Sequence, residues 1–473
     1  MIEFRQFVLD SHQFFWGLVT LGFIFLWFQD APAFREKINQ KQRQLFVGML
    51  LVFLLSSFGF FVQSWGLAGI FFSIEFAVLV TLSLLHPKFA VGFLLMLLMS
   101  RPWETFADQL MSSMPRDASI LALIVILGHK AIKRQWYVRF NGGTFLLLAF
   151  SVWMFMSGFF SGHVDEAMVQ YSEVFIKGVI LFILIQNALE TERDLLPIKF
   201  VFVIAIVEKC FVSFYKTLTV SASSLEDMSA QRLESVGILS NSNDIAAIFV
   251  LAIPFLILFL WKTNLRPYNW LLAAGMLFVM SLLVWKSQSR GALLGLFAIF
   301  GAWGLVQVKS KKVLAAMLVG GFACTLAAFS LMNRDASDIE GSTSNRILYW
   351  RAGLNMAVRN PIFGVGFWGF QKNLPAYVPD GNTGSESEHM TAHSSWVLAL
   401  AEGGPVALVL LLSLWVYSAL CAWSIREKEP EYFLAILGYG VAISFLSHTY
   451  LLYPYILLSI SITHAKAAHG ARA

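Results

Sequence analysis

The sequence is short of charged residues: only 13% of its 473 residues are Asp, Glu, Lys or Arg, whereas 58% are hydrophobic. Soluble globular domains are usually about 25% charged and about 45–50% apolar. This shortage excludes an ordinary soluble enzyme. The net charge of +5 does not indicate a nucleic-acid partner either, because the basic residues stand in short clusters between apolar runs. The composition therefore predicts an integral membrane protein that contacts membrane lipids and no nucleic acid.

Cysteine and phosphate-binding loops are also scarce. The three cysteines, Cys210, Cys324 and Cys421, all lie within apolar stretches, so the pattern indicates neither a disulfide framework nor a zinc site. We interpret them as small buried hydrophobic residues. The glycine-rich stretch GVGFWGF, at 364–370, lacks the lysine and the strand-turn-helix context of a nucleotide-phosphate loop.

Long apolar runs are abundant and predict an all-α, polytopic transmembrane bundle of about 13–15 spans. The first run is followed by APA, which resembles a signal-peptidase site, but the basic stretch FREKINQKQR after it argues against export. We therefore interpret that run as a membrane span. The predicted spans lie near residues 13–29, 45–62, 66–85, 88–100, 118–132, 143–160, 173–189, 196–215, 244–261, 269–287, 291–307, 313–332, 396–418, 431–446 and 449–464.

The basic clusters predict the topology. With the loop after the first span in the cytoplasm, every later basic cluster also falls on the cytoplasmic side. The outer segments are then 101–117, 217–244 and a loop of 333–391, in which the spacing of Ile347, Trp350, Leu354 and Val358 predicts a helix that ends near Pro361. We expect four regions: N-terminal spans of unassigned role, core spans, a periplasmic loop with catalytic residues, and C-terminal spans with a cytoplasmic tail. Their bounds are 1–132, 133–332, 333–393 and 394–473.

Arginines on the outer face are candidate phosphate ligands. Arg290 lies in SQSRGALLG, where one span ends and another begins, and an arginine at that depth needs a partner or a water-filled cavity. A guanidinium group can hold phosphate oxygens with two parallel hydrogen bonds. Two other interpretations stay open: an interfacial anchor for Arg290, and solvated charges on the loop helix for Arg346 and Arg351.

His393 is a candidate general base because it stands just before the span that begins near Trp396. A helix N-terminus disfavours a cation, so the imidazole should be neutral at physiological pH. An interfacial histidine without a chemical role is the alternative. Another is a metal site of His389 and His393 with Glu386 and Glu388 nearby, although the third ligand of such a site is not defined.

Ionisable residues inside the spans suggest a function of another class. Glu75, Lys177, Glu208 and Lys209 are expected to be buried, and such groups mark function or pairing by default. We expect Glu208 or Lys209 to pair with Lys177 or Glu75. An ion-coupled transporter that depends on Glu75 and Glu208 is therefore a rival hypothesis.

Four motifs in the C-terminal half carry a family resemblance. They are RLESVGILSNSNDIAAIFVLAIPF (232–255), SQSRGALLGL (287–296), NRILYWRAGLNMAVRNPIFGVGFWGF (345–370) and AHSSWVLALAEGGPVALVLLLSLW (392–415). In their order and spacing they resemble the O-antigen ligase and O-antigen polymerase superfamily of bacterial inner-membrane glycosyltransferases, which have a GT-C-type fold. The usual Asn-Pro-Asn-Asp of the family is NSND here, at 241–244, and the usual Asn after the histidine is Ser394.

The resemblance implies specific roles. Arg290 and Arg346 would bind the diphosphate of an undecaprenyl-linked glycan donor, and His393 would activate the hydroxyl of an acceptor, either a second glycan or the lipid A-core, without metal or cofactor. The active site would face the periplasm. The candidate supporting residues are Arg232, Asn243, Arg351, His389 and Glu402.

The resemblance does not separate a repeat-unit polymerase from a ligase, including a protein O-glycan ligase. We favour the polymerase, because the chain carries spans before the matched motifs that are compatible with a second lipid-linked glycan.

Overall fold

The computed structural model describes residues 2–35, 73–101, 109–135, 138–223, 241–262, 267–307, 336–378 and 390–470, with isolated positions between 310 and 319. Within these residues the chain is helical and contains no strand, which confirms the predicted all-α class. The predicted span 45–62 lies outside the described residues. Of the predicted span 313–332, only residues 315 and 319 are described.

The helices follow the apolar runs. Their bounds are α1 Ile2–Arg35, α2 Ser73–Leu85, α3 Pro87–Ser100, α4 Gln109–Ile132, α5 Gly142–Gly158, α6 Val164–Gln170, α7 Ile176–Ala188, α8 Leu195–Ser223, α9 Ser242–Lys262, α10 Pro267–Lys286, α11 Arg290–Gln307, α12 Ala336–Arg359, α13 Phe370–Tyr377, α14 Ser395–Ser424, α15 Pro430–Ala442 and α16 Leu452–Gly470. A π-helical turn, Tyr171–Phe175, joins α6 to α7, so that span begins earlier than the predicted 173.

Length and composition qualify two of the described helical stretches as candidate membrane spans, Val164–Ala188 and Ser395–Ser424. Several shorter helices are also apolar, among them α3, α5 and α15. Local signals set some helix starts. Pro87 and Pro430 stand in the first turn, where a missing N–H is not needed, and the side chain of Asn141 accepts a hydrogen bond from the Thr144 amide at 3.0 Å.

The described chain divides into two compact units. Unit 1 contains residues 1–139 and 184–216, and unit 2 contains residues 140–183 and 217–473. In unit 1, the fully buried Trp16 and Phe23 of α1 lie in the core with the buried face of α3. Glu208 pairs with His12, both buried, and Lys209 Nζ donates to the Ser100 carbonyl at 2.8 Å.

Glu208 pairs with His12, a partner that the sequence did not predict. A charge inside an apolar bundle takes whichever polar group the packing brings near it, and His12 lies 196 residues away in the sequence. Lys177 was expected to be buried, but its side chain is exposed in unit 2.

Unit 2 is organised around α14, which is kinked at Gly404 and Pro405. α14 packs against α5, α12, α15 and α16, and α15 also packs against α9 and α11. The loop helix α12 ends at Arg359, as predicted from Pro361. Its predicted apolar face is not buried as a whole, because Ile347, Leu354 and Val358 are exposed whereas Trp350 is half-buried.

Candidate functional site

Three helix N-termini of unit 2 meet at the segment 443–449, which joins α15 to α16. The Ser395 hydroxyl, at the start of α14, donates to the Leu446 carbonyl at 2.7 Å. The Asp244 carboxylate, in the first turn of α9, accepts a hydrogen bond from His448 Nε2 at 3.0 Å. At the start of α11, a Cβ on Gly291 would lie 3.0 Å from the Cβ of Phe445. Helix N-termini carry free N–H groups and partial positive charge, so this arrangement favours an anion.

His393 lies immediately before the N-cap of α14 and has a left-handed backbone, with φ of 46°. Non-glycine residues rarely adopt this conformation, and where they do they cluster at functional sites. Ser394 is the N-cap, and its side chain accepts a hydrogen bond from the Val397 amide at 3.4 Å. A serine caps a helix about as well as an asparagine, so the departure from the family's residue after the histidine leaves the start of α14 intact.

The surroundings of His393 disfavour its protonated form. Burial lowers the pKa of the imidazole below its ordinary 6.5, and the positive charge of Arg346 lowers the pKa further, while Asp244 acts in the opposite direction. The ring of Tyr349 lies beside it, with ring centroids 6.2 Å apart. This direction favours the neutral imidazole at physiological pH. Its causes are burial and Arg346, whereas the expectation from the sequence rested on the helix N-terminus.

Arg346 is half-buried on α12, one turn before a contact that fixes this helix to the site. The indole N–H of Trp350 donates to the carbonyl of Ala392, the residue before His393, at 3.1 Å. Arg346 and Asp244 thus each lie within electrostatic range of His393. Arg351 is exposed on the same helix.

Arg290 is the first residue of α11 and is half-buried. The turn before it is tight: Gln288 has φ of 54°, and the Ser289 amide donates to the Ser287 hydroxyl at 3.2 Å. The helix start lies against Phe445, whose ring is 6.2 Å from that of Trp350 on the Arg346 helix. Arg290 therefore stands at the same end of unit 2 as the other two residues.

Glu402 is a buried carboxyl that holds the loop after α12 against α14. Its Oε1 accepts from the Phe370 amide at 3.0 Å and its Oε2 accepts from the Tyr450 hydroxyl at 2.5 Å. Beside it, the Val365 amide donates to the Ala401 carbonyl at 2.8 Å. This close approach requires Gly364, whose φ is 59° and whose Cβ would overlap the Ala401 carbonyl. Glu402 thus anchors the loop after α12 to α14.

The remaining candidates divide between the described and the undescribed parts of the chain. Asn243 is buried at the start of α9, next to Asp244. Arg232 and His389 lie outside the described residues, as do Glu386 and Glu388, so the metal hypothesis stays a prediction that the structure does not test. Among the residues that the structure describes, no three His, Cys, Asp or Glu side chains form a group suited to a metal ion.

Asp244 and His448 belong to the site, although the sequence analysis assigned neither residue a role. Asp244 stands there only within the motif at 232–255. His448 lies in SHTY, the short polar break between the last two predicted spans, and it is 1% exposed. A buried histidine between two apolar runs was the available signal.

Comparison with known proteins finds one family model, described as O-antigen ligase, that matches residues 275–412. The match includes Arg290, Arg346, His393 and Glu402 and begins after the motif at 232–255. No curated protein matches the chain.

Proposed function

Because residues 275–412 match the O-antigen ligase family model, which places the chain in the superfamily of O-antigen ligases and polymerases, we propose a function of that kind. In the proposed reaction the protein transfers a glycan from undecaprenyl diphosphate to a hydroxyl group of an acceptor sugar. The family supports a glycosyltransferase activity of the O-antigen ligase type. The donor, the acceptor and the metal-independent mechanism are parts of the proposal.

One observation carries this function: His393, within electrostatic range of Arg346, lies where three helix N-termini converge, and its surroundings favour the neutral imidazole. Such a place attracts a diphosphate and at the same time offers a base. Neither an ion-coupled transporter nor a flippase requires this combination, and the buried carboxylate Glu208 of the transporter hypothesis is already paired with His12.

In the proposed reaction Arg290 and Arg346 bind the diphosphate, whose charge rises as it leaves. Preformed cationic donors at the position where charge develops are usually the largest contribution to catalysis. The forked guanidinium groups would take the place that a divalent cation has in other diphosphate chemistry.

His393 would take the proton of the acceptor hydroxyl as its oxygen attacks the anomeric carbon. Its neutral state is the one that a general base needs. A site at the membrane surface is also accessible to both substrates, because the lipid of the donor stays in the bilayer while its sugar protrudes towards the acceptor. We propose that this end of unit 2 faces the periplasm and that the chain is a multi-pass protein of the bacterial inner membrane, as the basic clusters predict.

We favour a repeat-unit polymerase as the form of this activity. A polymerase holds two lipid-linked glycans at once, and the helices of unit 1, which precede the matched domain, would provide additional membrane-facing surface. The ligase is the second candidate, favoured by the description of the family model itself.

Deleting the gene and analysing the lipid-linked pool distinguishes the two forms. Loss of a polymerase should leave single repeat units that still reach their final acceptor. Long chains stranded on the lipid carrier would instead identify a ligase. A normal pool with normal surface glycan would contradict both.

A further inference from the structure

The half-buried Asp244 and the buried His448 form a polar chain near His393. His448 Nε2 lies 3.0 Å from Asp244 Oδ1, and its Nδ1 lies 2.8 Å from the Tyr439 hydroxyl. Both ring nitrogens are therefore occupied, which fixes the plane of the imidazole. The side chain of His448 is 1% exposed, whereas that of Asp244 is 23% exposed. One side of the Asp244 carboxylate is thus accessible to solvent, while its other side is hydrogen-bonded to His448.

The pair is tied to the start of α14, where His393 stands. The His448 amide donates to the Ser395 hydroxyl at 2.9 Å, and the Thr449 hydroxyl donates to the Ser395 carbonyl at 2.9 Å. Ser395 follows His393 by two residues. The position of the Asp244 carboxylate is consequently set relative to the catalytic imidazole, even though the two come from distant parts of the sequence.

The proposed reaction creates a charge that needs this carboxylate. Among the residues that the structure describes, Arg346 from α12 and Asp244 from α9 are the charged side chains that act on His393. When His393 takes a proton, the new imidazolium lies near the cation of Arg346 in a buried place, which is unfavourable. A carboxylate within electrostatic range offsets that cost as the proton moves.

We infer that Asp244 is the carboxylate that stabilises protonated His393 during glycan transfer, and that His448 is the positioning residue that orients it. The inference rests on the proposed function. In the step, the acceptor O–H bond breaks and its proton goes to His393, and a bond forms between the acceptor oxygen and the anomeric carbon. The bond from that carbon to the diphosphate oxygen breaks, and undecaprenyl diphosphate leaves with the electron pair.

Rate measurements as a function of pH test the inference. Purified full-length protein in phospholipid vesicles is given a synthetic undecaprenyl-diphosphate glycan as donor and acceptor, and the initial rate is followed from about pH 5 to 9. The wild-type rate should rise with pH as His393 loses its proton. Asp244→Asn should lower the rate about 10–100-fold, since general-base catalysis as a whole contributes roughly 10²–10⁴-fold. It should also move the midpoint of the rise to lower pH, because a group that favours the protonated imidazole is removed.

Matched variants separate this role from a structural one. Asp244→Glu keeps the charge and should retain the wild-type midpoint. His448→Gln leaves the carboxylate in place and should shift the midpoint in the same direction as Asp244→Asn, by less. Asp165→Asn, an exposed carboxylate of the same unit, should change neither quantity. If the Asp244→Asn variant cannot be purified in folded form, the pH dependence of the initial rate of His448→Gln alone tests the inference.

An unchanged midpoint in both Asp244→Asn and His448→Gln, with the rate falling only as the folded fraction falls, would overturn the inference while leaving the proposed function standing. No transfer by wild-type protein, either to this glycan or to lipid A-core supplied as the alternative acceptor, would overturn the proposed function and the inference with it. Full transfer by His393→Ala would do the same.

Discussion

The indole N–H of Trp350 donates a hydrogen bond to the carbonyl of Ala392 at 3.1 Å, across 42 residues of sequence. Trp350 lies one turn after Arg346, and Ala392 directly precedes His393. This hydrogen bond adds to the packing of the loop helix α12 against α14. Arg346 therefore acts electrostatically on His393, although the two residues are distant in sequence. The site depends on this loop being docked.

Lysine substitutions test whether transfer requires the forked guanidinium groups of Arg290 and Arg346 or only their positive charge. Arg290→Lys and Arg346→Lys keep the charge but lose the forked pair of hydrogen bonds, so each should slow glycan transfer by at least about tenfold, a loss of about 1.4 kcal/mol in transition-state binding. Arg359→Lys, on the same helix as Arg346 but exposed, should retain most of the activity. Initial rates in vesicles measure this. Full activity in both Arg290→Lys and Arg346→Lys would show that point charge alone is sufficient.

Chelation tests the metal-independent mechanism. Because two arginines are proposed to neutralise the diphosphate, transfer should persist after dialysis against EDTA. The measurement is the rate before and after chelation, with Mg²⁺, Mn²⁺ and Zn²⁺ added back separately. Loss of activity that one of these ions restores would support a metal site that includes His389 and His393.

The carboxyl of Glu402 should be required for stability. Glu402→Ala leaves the Phe370 amide and the Tyr450 hydroxyl buried without their acceptor, at a cost of about 1–3 kcal/mol for each unsatisfied group. The melting temperature of the protein in detergent should fall clearly. Glu166→Ala, which removes an exposed ion pair with Lys372 in the same unit, should leave it nearly unchanged. Equal melting temperatures for the two variants would contradict the assigned role of Glu402.

Gly364 should not tolerate a side chain. Its φ of 59° disfavours an L-residue, and a Cβ would overlap the carbonyl of Ala401. Gly364→Ala should destabilise the protein by more than about 1 kcal/mol. Gly162→Ala is a matched control, because no atom lies within 4 Å of its Cβ position and its φ is not in the left-handed region. Thermal unfolding in detergent compares the two, and a Gly364→Ala variant as stable as the control would refute the close approach.

The sequence predicted those parts of the molecule that depend on local pattern. Apolar runs predicted the helices, and Pro361 predicted the end of α12. The change from polar to apolar residues predicted that Arg290 and His393 stand at or just before the start of a helix. The pairs that pack over long distances could not be predicted in this way. Asp244 and His448 are 204 residues apart, and the sequence around each residue does not identify the other as its hydrogen-bond partner.

Glu402 shows an intermediate case. A lone carboxylate followed by Gly-Gly-Pro inside an apolar run indicates a special position. Its partners, the Phe370 amide and Tyr450, become apparent only when the kinked helix meets the loop after α12. The exposed face of α12 was not predictable either, because helical spacing gives the stripe of Ile347, Leu354 and Val358 but not the side that packs on the protein.

The central claim is that His393 is the base of a glycan transfer, and one reconstituted reaction tests it most directly. Wild-type protein, His393→Ala and His163→Ala are each placed in vesicles with a defined undecaprenyl-diphosphate glycan, and the released undecaprenyl diphosphate and the glycan length are measured together. His163 is an exposed histidine of the same unit. Wild-type protein and His163→Ala should release the lipid diphosphate in step with glycan transfer, while folded His393→Ala should be slower by roughly 10²–10⁴-fold. Near-normal transfer by folded His393→Ala would contradict the account.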